Sequence, residues 1–203
     1  MIHCLEWELH ISTKKVDSLH EHPYCMRLKE IKLSSIQRRH ECYKILYIYK
    51  IKEGLVPNLP SHPLKQESFA FHFHHNPRTG TKCSLPNPKL YHNPAEIARA
   101  SSFALTASRL WNCLPTCLSN ISKHPVHTFK SKLDKFLDLL PDEPRCDASG
   151  QYNDPNTGRN SNSIWHLVTN PRVKSNIRAF DKLNFLNSSH IGEGLIEAIP
   201  HPL

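Results

Sequence analysis

Two prolines, Pro125 and Pro141, bracket the stretch that most constrains what this chain can fold into. Between them Val126, Phe129, Leu133, Phe136, Leu137 and Leu140 stand at offsets 0, 3, 7, 10, 11 and 14. At the helical period these positions form one apolar stripe. Proline fits the first turn of a helix and cannot continue one, so Pro125 starts the helix and Pro141 stops it. Such a stripe has to be covered. Just upstream, the turn Ala107–Leu114, closed by Pro115, carries Trp111 and Leu114. The order of these segments predicts that both side chains pack on the stripe, as packing residues rather than chemical ones.

A second helix is predicted from Ser34, with Gln37 three residues later as its capping-box partner. It runs through IQRRHECYKILYIYKIKE to Gly54, with Pro57 close behind. Ile and Tyr crowd positions 45–51, which also suits a strand; the paired start and stop signals favour the helix. Phe69–His75 alternates like a short strand, and Arg78–Pro86 either pairs with it or lies extended. Asn93-Pro94-Ala95-Glu96 starts a short helix that fades by Ser101, and Ser102–Leu105 reads as extended. The expected fold class is α+β, mainly α: a small partial domain of a few helices with short strands over residues 34–140. Residues 1–33 read as a weakly ordered segment. Residues 141–203 read as a largely disordered tail with a marginal helix near 174–186. The expected core is Ile36, Tyr43, Leu46, Leu55, Phe103, Leu110, Trp111, Leu114, Phe129, Leu133, Phe136 and Leu137.

Hydrophobic residues make up 38% of the 203, which limits the core to a modest size. The net charge of +8 is uneven: residues 1–140 carry 20 Lys/Arg against 11 Asp/Glu, and residues 141–203 carry 6 against 7. The basic part coincides with the patterned part, which suits a phosphate-rich partner and equally suits ordinary solvation. Lys32, Arg38, Arg39 and Lys44 surround the first turns of the 34–54 helix, with Tyr43, Tyr47 and Tyr49 after them. They are the candidate nucleic-acid-binding residues, because cations neutralise phosphates and aromatic rings stack on bases. The competing reading has the rings inside and the charges solvated. Seven scattered cysteines and no basic-apolar leader fit reduced thiols in cytoplasm or nucleus rather than secretion. No apolar run approaches a membrane span.

Catalytic chemistry finds little support. A polymerase or metal-dependent nuclease needs clustered carboxylates, and no two of the seven aspartates are adjacent. Asp134 and Asp138 share a helix face opposite the apolar stripe, where solvation is the expected role. Neither a phosphate-cradling glycine loop nor a nucleophile elbow occurs. Cys113, Cys117, His124 and His127 supply zinc-ligand types, but their spacing is too loose to specify a site. The chain is therefore expected to be no enzyme on its own and to use no cofactor, metal or small-molecule substrate.

The blocks RLKEIKLSSIQRRHECYKILYIYKIKEGLVPN, RTGTKCSLP, ARASSFALTASRLWNCLP and FKSKLDKFLDLLPDEP, with a later SNS, resemble in kind and order the C-terminal region of jockey-like non-LTR retrotransposon reverse transcriptases. The resemblance covers residues from about 11 to 163. It departs from the family pattern at His40, Tyr49 and Ser108, where Arg, Trp and Gly are usual. It implies a fragment of an RNA-directed DNA polymerase polyprotein, from downstream of the polymerase domain. The polymerase and endonuclease motifs would lie upstream of this region, so no catalytic residue carries over. Residual weak RNA or DNA binding, or contact with the missing polymerase domain, is what such a piece would retain. The alternative is an interaction or structural remnant with no nucleic-acid role. The resemblance further implies that Met1 is not an ancestral start, and that residues after about 165 come from elsewhere.

Overall fold

A computed structural model describes residues 2–56, 71–76, 78–84, 103–144 and 162–189. Eight helices and one hairpin appear among them: α1 (Ile2–Lys14), α2 (Tyr24–Glu30), α3 (Ile36–Lys52), β1 (His72–His74), β2 (Lys82–Ser84), α4 (Phe103–Asn112), α5 (Thr116–Ser119), α6 (Val126–Leu137), α7 (Ile164–Thr169) and α8 (Pro171–Ser189). The fold is mainly helical with two short antiparallel strands, as the sequence predicts. The expected helix over 93–101 lies outside the described residues.

The stripe of α6 is buried as its spacing requires: Phe129, Leu133 and Phe136 have no exposed surface, and Leu137 and Leu140 are buried. Trp111 is fully buried and stacks on Phe129 with centroids 6.1 Å apart. Tyr49 covers the other face of Phe129 at 4.0 Å, with its hydroxyl donating to the His124 carbonyl at 2.7 Å. Aromatic side chains bring large apolar area and few rotamers, so this stack is the rigid centre of the core.

Trp111 and Asn112 also hold the hairpin. β1 and β2 pair in register His72 with Ser84, Phe73 with Cys83 and His74 with Lys82. The Trp111 indole N–H donates to the Thr81 carbonyl at 2.9 Å. The Asn112 amide then pairs with Cys83 twice, accepting from its N–H at 2.8 Å and donating to its carbonyl at 2.7 Å. One side chain thus satisfies the free edge of β2 as a third strand would. The hairpin turn is closed by reciprocal bonds between Asn76 and Gly80. Gly80 has φ +80°, and a Cβ there would lie 2.1 Å from Ser119 Oγ. Only glycine fits both constraints.

α3 departs from the expected core. Its buried face runs Arg38, Glu41, Ile45, Ile48, Tyr49, the same 0, 3, 7, 10, 11 spacing as in α6, with two charged residues at its N-terminal end. Tyr43 is 67% exposed, Leu55 and Phe103 are also exposed, and Ile36 is only half-buried. The expectation placed Ile36 and Tyr43 inside because it turned every charge of α3 outward. The inward charges are tolerated because each is hydrogen-bonded. Arg38 donates to the carbonyls of Leu137 at 3.3 Å and Pro141 at 2.7 Å, at the end of α6. Glu41 accepts from the Ile164 N–H at 2.7 Å at the start of α7. Ser35, rather than Ser34, caps α3 by accepting from the Arg38 N–H. Its own N–H and hydroxyl donate to Asp142 at 2.8 and 2.7 Å. Asn162 completes the knot by donating to Asp142 at 2.8 Å and accepting from the Glu143 N–H.

Three further segments differ from the sequence reading. Residues 1–33 contain α1 and α2. They are joined by buried polar contacts, in which Tyr24 donates to Glu6 at 2.6 Å and Arg27 to Thr13 at 3.1 Å. Polar pairing leaves no apolar period to read, which is why the pattern looks weak. Phe103–Leu105 is the first turn of α4 rather than extended chain. In the tail, α8 is longer than the expected marginal helix, and it docks. Val173 is buried, Phe180 meets Phe136 at 5.8 Å, and Asp181 accepts from the Cys117 N–H at 2.7 Å.

Candidate nucleic-acid interface

The four predicted binding residues separate into different roles. Arg38 is 3% exposed, and its Nη atoms are bonded to α6 carbonyls, so it cannot meet a surface ligand with its full fork. Burial pushes its guanidinium pKa down, against the pull of Asp142 and Glu41. As a phosphate-binding residue it is corrected to a residue that ties α3 to α6. Lys44 is half-buried and donates to Thr106 Oγ1 at 2.9 Å, and desolvation lowers its pKa. It links α3 to α4 while lining the surface beside it. Lys32 is exposed in the turn after α2, with φ 54°. Arg39 is partly buried. Its Nε and Nη2 have no hydrogen-bond acceptor among the described residues.

Two concavities lie on this side of α3, and Tyr43 lines both. The first, of about 400 Å³, is an aromatic groove formed by Tyr43, Tyr47 and Phe103, with His40 and Lys44 at its border. Tyr47 meets Phe103 edge-on at 5.3 Å. This arrangement holds Tyr47 still and leaves the Tyr43 ring in solvent. His40 has its pKa lowered, first by burial and then by Lys44, which favours a neutral ring. The second, of about 340 Å³, lies between α3 and α6 and brings together Lys32, Arg38, Arg39 and Lys130. Asp134 and Asp138 line it too, and Asp134 is held by Lys130 at 2.6 Å.

An exposed ring set beside cations can stack a base and neutralise a phosphate. Phe103 and Lys130 are the members that sequence reasoning missed. Tyr43 was named both as a stacking ring and as a core residue, and the α3 spacing decides between them: once Arg38 and Glu41 are placed inside, Tyr43 must point out.

Among the described residues no group of three His, Cys, Asp or Glu could hold a metal ion, and the Cys113, Cys117, His124 and His127 set does not converge. Burial pushes the Cys113 and Cys117 thiols up to about 12 and Cys42 to about 11, so they are poor nucleophiles. No described helix is long and apolar enough to cross a membrane. No family model, no curated protein and no solved structure matches the chain.

Proposed function

We propose that this chain is a piece of a jockey-like non-LTR retrotransposon RNA-directed DNA polymerase polyprotein, from downstream of the polymerase domain. On its own it catalyses nothing. It holds single-stranded RNA or DNA weakly, with bases against the Tyr43 groove and the strand's charge against the neighbouring cations.

The observation that carries this reading is the exposed Tyr43 ring, at 67%, set between an aromatic groove and a cation-lined cleft. A tyrosine turned to solvent beside Lys44, Arg39 and Lys130 has no packing role to explain it. Further support comes from where the resembling blocks lie. SSIQRR, LPDEP and SNS supply Ser35, Arg38, Asp142 and Asn162, which meet in one hydrogen-bonded knot. Blocks whose polar residues depend on one another belong to one folding unit.

The second reading is an interaction or structural remnant without a nucleic-acid role. It is favoured by Arg38 and Lys44, whose Nη and Nζ groups donate inside the protein. A salt titration of the purified chain with a fluorescent single strand separates the two. Phosphate contacts give an affinity that falls linearly on logarithmic axes as salt rises, and stacking makes it depend on Tyr43. Binding that ignores both salt and Tyr43→Ala refutes the nucleic-acid reading. Extension of a primed RNA template with magnesium would refute the non-catalytic part. The origin is tested in the genome: an upstream frame, open or decayed, should encode the paired-aspartate polymerase motif, and unrelated sequence there contradicts it.

A further inference from the structure

The cleft between α3 and α6 contains buried donors with nothing to donate to. Arg39 Nε and Nη2 lack an acceptor among the described residues, and so does Nε of Arg38, a residue 3% exposed. Leaving a charged donor buried and unsatisfied is expensive, so such groups point to an acceptor that is supplied from outside. Four cationic side chains line the space against two carboxylates. Asp134 pairs with Lys130, and neither it nor Asp138 hydrogen-bonds the free guanidinium atoms.

We propose that this cleft seats a phosphate group of the bound strand, with Arg39 as its principal donor and Lys32 and Lys130 as supporting charges. The inference rests on the nucleic-acid reading above and gives it a particular place. The planar fork of arginine matches the tetrahedral oxygens of phosphate better than an ammonium does, and Nε and Nη2 of Arg39, closed to solvent in this structure, reach a phosphate oxygen when the guanidinium turns outward into the cleft. The cleft shares Tyr43 with the aromatic groove. A nucleotide stacked on that ring therefore has its phosphate beside Arg39 rather than in open solvent.

The test is anisotropy of a single-stranded oligonucleotide labelled at one end, with the full chain and its Arg39→Ala, Arg39→Gln, Arg39→Lys and Tyr43→Ala variants, from low to high sodium chloride. Melting curves first establish which variants fold; Arg39→Gln serves if Arg39→Ala does not. Removing the arginine should weaken binding about tenfold or more at low salt, as expected for a charge-assisted contact. The slope of log affinity against log salt should become shallower by about 0.7, the value for one phosphate on a single strand. Arg39→Lys should restore the slope but only part of the affinity. Inorganic phosphate should compete with the strand on the wild type and not on the arginine-less variant. If the wild type binds in a Tyr43-dependent way and loss of Arg39 changes neither affinity nor slope, the phosphate seat is wrong and the stacking surface stands. If the wild type binds no strand, both are wrong, even where free phosphate raises the melting temperature.

Discussion

Arg38 and Arg39 are neighbours in sequence, and their replacement should have opposite consequences. Arg38→Met removes a guanidinium that is 3% exposed and donates to the carbonyls of Leu137 and Pro141. The Leu137 carbonyl ends α6, where the helix dipole makes a cation favourable, and the Pro141 carbonyl lies just beyond it. Hydrogen bonds from a charged donor contribute about 1.5–3 kcal/mol each, and stranded buried acceptors add to the loss. The 3.3 Å bond is the weaker of the two, so the expected total is about 3–5 kcal/mol, the range for breaking a buried charged contact. That is a large part of the roughly 5–15 kcal/mol available to a small domain. Arg39→Ala removes two buried donors that have no acceptor among the described residues, so the variant should be at least as stable as wild type, by up to about 1–3 kcal/mol. Urea unfolding followed by far-ultraviolet circular dichroism, with Trp111 fluorescence as a second probe, measures both. If Arg38→Met unfolds within about 1 kcal/mol of wild type, the knot around Ser35, Arg38 and Asp142 does not hold α3 to α6. If Arg39→Ala costs as much as Arg38→Met, the assignment of one arginine inside and one to a ligand is wrong.

Three further outcomes follow from the described contacts. Gly80→Ala combines a positive φ with a Cβ 2.1 Å from Ser119 Oγ, and thermal melting should show a loss of about 1–3 kcal/mol that Ser119→Gly partly relieves. Asn112→Leu strands the Cys83 N–H and carbonyl, and a loss of about 2–4 kcal/mol is expected, with faster amide exchange at Cys83. His10 is buried, and its pKa is held below the ordinary 6.5 by burial first and then by Arg27 and Lys14. The unfolded chain therefore binds a proton at this site before the folded chain does. Stability present above about 6.5 falls as pH drops through the lowered value. His10→Gln should flatten that part of the stability profile, while His40, shifted in the same direction, leaves a residual slope.

The sequence revealed those parts of the fold where one kind of force acts alone. The α6 stripe and the Trp111 contact were legible because apolar period and proline punctuation each give one answer; the strand His72–His74 shows in its alternation, while its pairing with Lys82–Ser84 was one of two open readings. The phase of α3 was not legible. Its inward face carries Arg38 and Glu41, and only the partners at 137, 141 and 164 make that burial tolerable. Those partners are a hundred residues or so away and cannot be inferred from local pattern. The same error put Tyr43 inside and Arg38 outside. α1 and α2 were missed for a related reason, since Glu6, Tyr24, Arg27 and Thr13 join them through polar groups.

The knot also imposes an order on synthesis. Ser35 is bonded to Asp142 across 107 residues and to Asn162 across 127, and Glu41 waits 123 residues for the Ile164 N–H. Arg38 and Ser35 have their partners at 141 and 142 once residue 142 has been added, whereas Glu41 has its partner at 164 only when that residue follows. The charged end of α3 is thus the last part of the helix to find its partners, because closure across so many residues is slow.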